Sequence, residues 1–195
     1  MVTELLSCNE NNLVMELYNL LITPTQDFSL RWHRDDISPD ASPEEEIAKL
    51  SQPAWHAQWN LALHDDESLV VIPGSHARAR TASERNMDPY ESHVPGQKIV
   101  HLKAGDAVFY KNSILHRGVY HSNVPRMTLH GSIGHVNGAK ERARNVLQHG
   151  VVEWVKRCDT SSLEPERIRK RAEEMRERLL RMGDASGDVG FSQPD

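Results

Sequence analysis

His33-Arg34-Asp35 sets an imidazole and a carboxylate two residues apart. At the end of an extended segment, side chains two apart point to the same side. Both groups then reach one ion while Arg34 points away. His116, in Ile114-Leu115-His116-Arg117-Gly118, is placed to give a third ligand. Two histidines and one carboxylate on one face of an octahedral metal leave three positions open. That donor set is the facial triad of non-haem Fe(II) oxygenases, and the open positions suit a co-substrate and O2. Arg126 opens the next apparent strand after His116. Its guanidinium is suited to bidentate capture of a carboxylate. Thr128, two residues on, lies on the same face and adds a hydroxyl donor. Arg126 and Thr128 would hold the far carboxylate of 2-oxoglutarate while the keto-acid end chelates the iron.

Composition agrees with imidazole and carboxylate ligands. The chain has 195 residues, about one domain in size. It carries 23 Lys+Arg against 28 Asp+Glu, a net charge of −5, with no long basic run. That balance gives no electrostatic footprint for nucleic acid. Cys8 and Cys158 are too few for a disulfide framework or a thiolate-ligated zinc or iron–sulfur site. Histidine, at 11, is conspicuous. No run of about 20 apolar residues predicts a membrane span. Neither a secretory signal nor a C-terminal peroxisomal address is read, so a reducing, cytoplasmic setting is expected.

Short apolar runs separated by turn residues must position these groups. They cover residues 13–22, 28–32, 55–63, 69–72, 99–102, 107–110, 114–120 and 126–135. Many short strands with turn chemistry between them predict a sandwich or barrel. Two polar stretches, 36–54 and 77–98, read as long loops at its mouth. The first holds a helical turn at Pro43–Leu50, and residues 77–95 are expected to be exposed. Ser161-Ser162-Leu163-Glu164 has capping-box spacing. Ile168, Met175, Leu179 and Met182 then recur at helical offsets, with Gly183 as the expected stop. Residues 184–195 read as a disordered tail rich in Gly, Asp and Ser.

The chain resembles the phytanoyl-CoA dioxygenase family of Fe(II)/2-oxoglutarate oxygenases. The resemblance rests on Trp32-His33-Arg34-Asp35, and on Trp59-Asn60-Leu61-Ala62-Leu63 running into Leu69-Val70-Val71-Ile72-Pro73-Gly74-Ser75-His76. Gly105-Asp106-Ala107-Val108-Phe109, His116 and Arg126 complete it, so it covers roughly residues 13–136. It implies a mainly β fold, a double-stranded β-helix (a cupin-like jelly-roll), spanning 1–158. The C-terminal helix would follow over 159–183 and the tail over 184–195. It implies Fe(II) held by His33, Asp35 and His116, with Arg126 anchoring 2-oxoglutarate. Trp59 matches a tryptophan that lies beside the co-substrate. The implied reaction couples O2-driven decarboxylation of 2-oxoglutarate to hydroxylation of a C–H bond in a small metabolite. Asp35 separates the chain from halogenating relatives, which have a small residue there. Two departures stand out. Only 32 residues precede His33, so the chain is short at that end beside the family. His64-Asp65-Asp66-Glu67-Ser68 also lacks the expected Asn-Gly.

Bland roles remain for most other candidates. His76 is expected to brace its loop, and His130 either lines the pocket or is a satisfied interior histidine. Arg34 and Arg117 read as solvent-facing or supporting charges, and Asp65 and Asp66 as loop acids. His56, His64, His93, His101, His121, His135 and His149 are surface or turn residues by default. The stripe over 162–182 would pack on the barrel or mediate homo-oligomer assembly. Two alternatives stay open: a cupin-like metalloenzyme that does not use 2-oxoglutarate, and a catalytically impaired barrel acting as a binding or assembly module.

Overall fold

A computed structural model describes residues 1–16, 18–148 and 150–190. Leu17, His149 and residues 191–195, the end of the expected tail, lie outside the described residues. In chain order the elements are α1 (Val2–Leu5), β1 (Leu13–Val14), β2 (Tyr18–Ile22), β3 (Phe28–Ser29) and α2 (Pro43–Leu50). Next come β4 (His56–Ala62), β5 (Leu69–Ile72), α3 (Ala82–Asn86), β6 (Lys98–Ile99), β7 (Ala107–Lys111), β8 (Leu115–Tyr120) and β9 (Met127–His135). Three helices close the chain: α4 (Ala139–Leu147), α5 (Val151–Arg157) and α6 (Glu166–Ser186). The run expected as one strand over 13–22 is split into β1 and β2. Contacts divide the chain into two units. One holds 1–17, 55–57 and 131–195; the other holds 18–54 and 58–130.

The second unit is mainly antiparallel β, the jelly-roll arrangement of strands. One sheet contains β2, β9, β4 and β7; the other runs β3-β8-β5-β6. β8 is the pivot of the latter. It pairs with β5 through Val70↔Arg117 and Val71↔His116, and with β3 through Ser29↔Val119. Its side chains alternate. His116, Gly118 and Tyr120 line a cavity that Gln58 and Asn60 of β4 line from the other sheet. Leu115 joins Trp32, Val70, Ile72 and Val94 in a buried cluster on the opposite face.

Residues 77–95 are largely exposed, as expected, but part of the stretch turns in to cover that face. Val94 is inserted into the cluster, and the backbone carbonyl of Glu91 accepts from both Trp32 Nε1 (2.9 Å) and Arg117 Nη1 (2.7 Å). α2 forms as expected: Ser42 caps it, Glu45 returns the capping bond, and Pro43 opens the first turn.

The first unit carries α1, α4, α5 and α6. β1 pairs with the end of β9 through Leu13↔His135 and Val14↔Gly134. Val14, Ala143, Val146, Leu147, Val155, Leu179 and Met182 form one core. The α6 residues Leu179 and Met182, expected to face the barrel or a partner, are thus buried against α4, α5 and β1. Two expectations for α6 change. Its N-cap is Pro165, without the capping box read at 161–164. Gly183 does not stop the helix but lies buried inside it, because a Cβ there would meet Leu147 Cδ1 at 2.5 Å. The glycine admits α4, and α6 continues through Ser186 into what was read as tail. His56 and His135 are buried, not surface residues. His56 meets Arg142 at 2.6 Å, and Arg142 in turn pairs with Glu16 at 2.9 Å.

Candidate metal centre

The strand pairing itself brings the two histidines together. His33 N donates to His116 O (3.0 Å) and His116 N donates to His33 O (3.1 Å). The two residues are therefore directly opposite in an antiparallel hydrogen-bonded pair, with side chains on one face. Their ring centroids are 4.4 Å apart. The chain then turns, and Asp35 N is held by Asn112 O at 3.3 Å. Asp35 Oδ1 lies 3.4 Å from His33 Nε2 and 3.8 Å from His116 Nε2. One ligand atom from each of the three residues falls within 4.8 Å of the others.

The imidazoles are oriented for ligation. His33 Nδ1 meets Arg31 O and His116 Nδ1 meets Ile114 O, each at 2.8 Å. A ring nitrogen that donates to a backbone carbonyl leaves Nε2 as the free base, the usual arrangement of a metal-bound histidine. Both Nε2 atoms point to the Asp35 carboxylate, so the donor set fits a divalent transition metal. Burial holds His116 below its ordinary pKa, and the neighbouring His33 adds to this against the pull of Asp35. Neutral imidazole is the form that ligates. Burial acts the same way on His33, but its hydrogen bonds to Asp35 and to the Arg31 carbonyl, with the Asp35 charge, raise it overall.

Gln58 Nε2 donates to Asp35 Oδ2 at 2.5 Å, and Gln58 Oε1 is buried without a hydrogen-bond partner among the described residues. Tyr110 stands edge-on to His116 at 5.6 Å, its phenol pushed up by burial. His130 lines the cavity and also bonds Asn60 Oδ1 at 2.6 Å, so both readings offered for it hold. The cavity measures about 170 Å³ and is lined by His33, Asp35, His116 and Arg126 together.

Arg34 does point away from the ion position, but not into solvent. Its side chain is 1% exposed and donates to the carbonyls of Ser75 (2.8 Å), Ser113 and Arg78 (3.0 Å). Its Nε lies 3.3 Å from Glu46, a carboxylate with no exposed surface. Arg117 is likewise buried. In the Pro73-Gly74-Ser75-His76 motif it is Ser75 that braces the loop, accepting from Leu115 N at 2.7 Å.

The structure places the remaining candidates unevenly. Arg126 reaches the cavity, its guanidinium carbon 4.5 Å from the Tyr120 ring. Thr128 is fully buried, and its hydroxyl donates to Asp66. Trp59 is not brought to the cavity. It alternates with Gln58 and Asn60 along β4, so it takes the other face, 6.1 Å from Tyr18. Asp66 is a buried partner of Arg126, not a solvated loop acid. Sequence reasoning missed Gln58, Tyr110 and Asp66. The polar positions His56, Gln58 and Asn60, alternating with Ala57, Trp59 and Leu61, were the available signal for Gln58.

Residues 3–128 match the family Phytanoyl-CoA dioxygenase, and the chain belongs to that family. No curated protein matches it. Among solved structures it is similar to EctD from S. alaskensis with 2-oxoglutarate and 5-hydroxyectoine, at 16% identity and a TM-score of 0.46, covering 66% of this chain and 46% of that one. It is also similar to the non-haem alpha-ketoglutarate-dependent epimerase SnoN from nogalamycin biosynthesis, at 19% identity and 0.44, covering 64% and 48%. The non-haem monooxygenase ThoJ in complex with Ni stands at 17% and 0.44, covering 68% and 48%. The chain thus spans about half the length of these structures. Among the described residues no helix is long and apolar enough to cross a membrane.

Proposed function

We propose that the chain is a non-haem Fe(II)- and 2-oxoglutarate-dependent oxygenase acting on a small molecule, with O2 as oxidant. The carrying observation is the convergence of His33 Nε2, His116 Nε2 and Asp35 Oδ1 within one family-matched cavity. His33, Asp35 and His116 would hold the iron, which when bound supplies the O2 chemistry that splits 2-oxoglutarate into succinate and CO2 and oxidises a C–H bond. Gln58 fixes the Asp35 carboxylate by taking the oxygen turned from the histidines. The carbonyls of Arg31 and Ile114 fix both imidazole tautomers. Arg126 is the guanidinium at the cavity that a keto acid's distal carboxylate would meet, and it already pairs with Asp66. Thr128 gives its single proton to Asp66 and so contributes no donor there. The small cavity suits a keto acid; pockets for drug-sized ligands run to roughly 300–1,000 Å³. The oxidised substrate would therefore approach from the mouth of the cavity; the stretches 36–54 and 77–98, expected there as selectivity loops, contribute none of its lining residues.

The test is an anaerobic titration of purified protein with Fe(II) and 2-oxoglutarate, followed by admission of O2. A visible metal-to-ligand charge-transfer band and O2-dependent succinate release are expected, both absent in His116→Ala. Iron that binds without any keto-acid band would contradict the proposal.

A further inference from the structure

The anion seat read from the sequence on Arg126 and Thr128 is already filled by the chain's own carboxylate. Asp66 Oδ2 accepts from Arg126 Nε at 3.1 Å and from the Thr128 hydroxyl. Asp66 Oδ1 accepts from Ser68 N at 2.8 Å. Its backbone is pinned as well: Asp66 N to Leu102 O and Leu102 N to Asp66 O are each 2.9 Å. Side-chain exposure is 5% for Asp66 and 10% for Arg126, so little water screens the pair. Burial works to raise the Asp66 pKa, but hydrogen bonds from Ser68 and Thr128 and the Arg126 charge outweigh it and keep the carboxyl below its usual range. At neutral pH the seat therefore holds an anion.

Arg126 spends part of its remaining reach on Tyr120, its guanidinium carbon standing over that ring at 4.5 Å. A distal carboxylate entering the cavity would be a second anion on a guanidinium whose charge is already compensated, without help from Thr128. Resting on the oxygenase reading above, we propose that Asp66 sets the co-substrate specificity of the site. It competes internally for Arg126 and Thr128 and removes most of the advantage a dicarboxylate keto acid would otherwise have over a monocarboxylate one. A 2-oxo acid with an uncharged tail is thus accepted nearly as well as 2-oxoglutarate.

The experiment is an anaerobic binding titration of the Fe(II)-loaded protein, read by the charge-transfer band. The probes are 2-oxoglutarate and 2-oxopentanoate, which has a methyl group where 2-oxoglutarate has its distal carboxylate. In the unaltered protein the two dissociation constants should differ by less than about tenfold, below what one hydrogen bond to a charged group contributes. Asp66→Asn should tighten 2-oxoglutarate by about tenfold or more and leave 2-oxopentanoate unchanged. A preference for 2-oxoglutarate above about tenfold in the unaltered protein would overturn the proposal, and that comparison needs no variant to fold. So would an Asp66→Asn protein that binds 2-oxoglutarate no more tightly. No band with either acid in either protein would instead overturn the oxygenase reading, which is a different outcome from a band that Asp66→Asn fails to move.

Discussion

Glu46→Gln should destabilise this protein more than any exposed substitution, although Glu46 touches no candidate ligand. Its carboxylate has no exposed surface and faces three guanidiniums. Oε1 accepts from Arg80 Nε at 2.6 Å and lies 3.3 Å from Arg34 Nε. Oε2 accepts from Arg80 N at 2.8 Å and from Arg85 Nη2. Burial tends to raise the Glu46 pKa, yet the Arg80 hydrogen bonds and the arginine charges together lower it. Glutamine keeps the shape, removes the charge and turns an amide donor toward guanidinium donors. Breaking a buried pair by neutralising one partner costs about 3–5 kcal/mol. For a chain of this size that corresponds to a fall in Tm of about 6–20 °C. Glu45→Gln, an exposed partner in the same helix cap, should cost less than about 1 kcal/mol. Chemical denaturation and thermal melts of the two variants measure the difference. A Glu46→Gln protein within about 1 kcal/mol of the parent would refute the idea that this carboxylate anchors the arginines.

The remaining expectations concern packing and pH. Gly183→Val should cost about 1–3 kcal/mol, since its side chain would strike Leu147 across the α4–α6 contact; adding Leu147→Ala should recover part of the loss in a melt. Leu115→Ala, in the cluster behind His116, should cost about 2–5 kcal/mol by denaturation. Glu84 is held down to about 2 chiefly by hydrogen bonds from Arg78, with burial opposing. Its contribution is therefore complete above its ordinary value of 4.5 and is lost as pH falls from there toward 2. In acid titrations of folding stability, Glu84→Gln should flatten that limb. An unchanged slope would assign the acid sensitivity elsewhere.

The closeness of His33, Asp35 and His116 was legible because a two-residue spacing and a strand register are local matters, although a turn rather than strand alternation brings Asp35 round. His33 and Asp35 needed only two-residue spacing, and His116 needed only a strand that returns to them. Strand positions followed from short apolar runs between turn residues, and α2 from its cap. What failed depended on contacts distant in sequence. Gly183 reads as a stop signal unless Leu147 is known to press against it. Within the largely exposed stretch 77–95, nothing local marks Val94 and the Glu91 carbonyl as the groups that meet Trp32 and Arg117. Asp66 reads as a loop acid because its partners Arg126 and Thr128 lie some sixty residues away. Trp59 lies on the face of β4 away from the cavity: a shared motif does not say which way a strand residue points, whereas its alternation with Gln58 and Asn60 does.

Equilibrium dialysis of the protein against Fe(II) under anaerobic conditions tests the metal centre most directly. One iron per chain is expected. It should be lost in His116→Ala and in Asp35→Ala and retained in Thr128→Val, provided each variant melts as a folded protein. No bound iron in the parent, or equal binding in the ligand variants, would contradict the assignment of His33, Asp35 and His116.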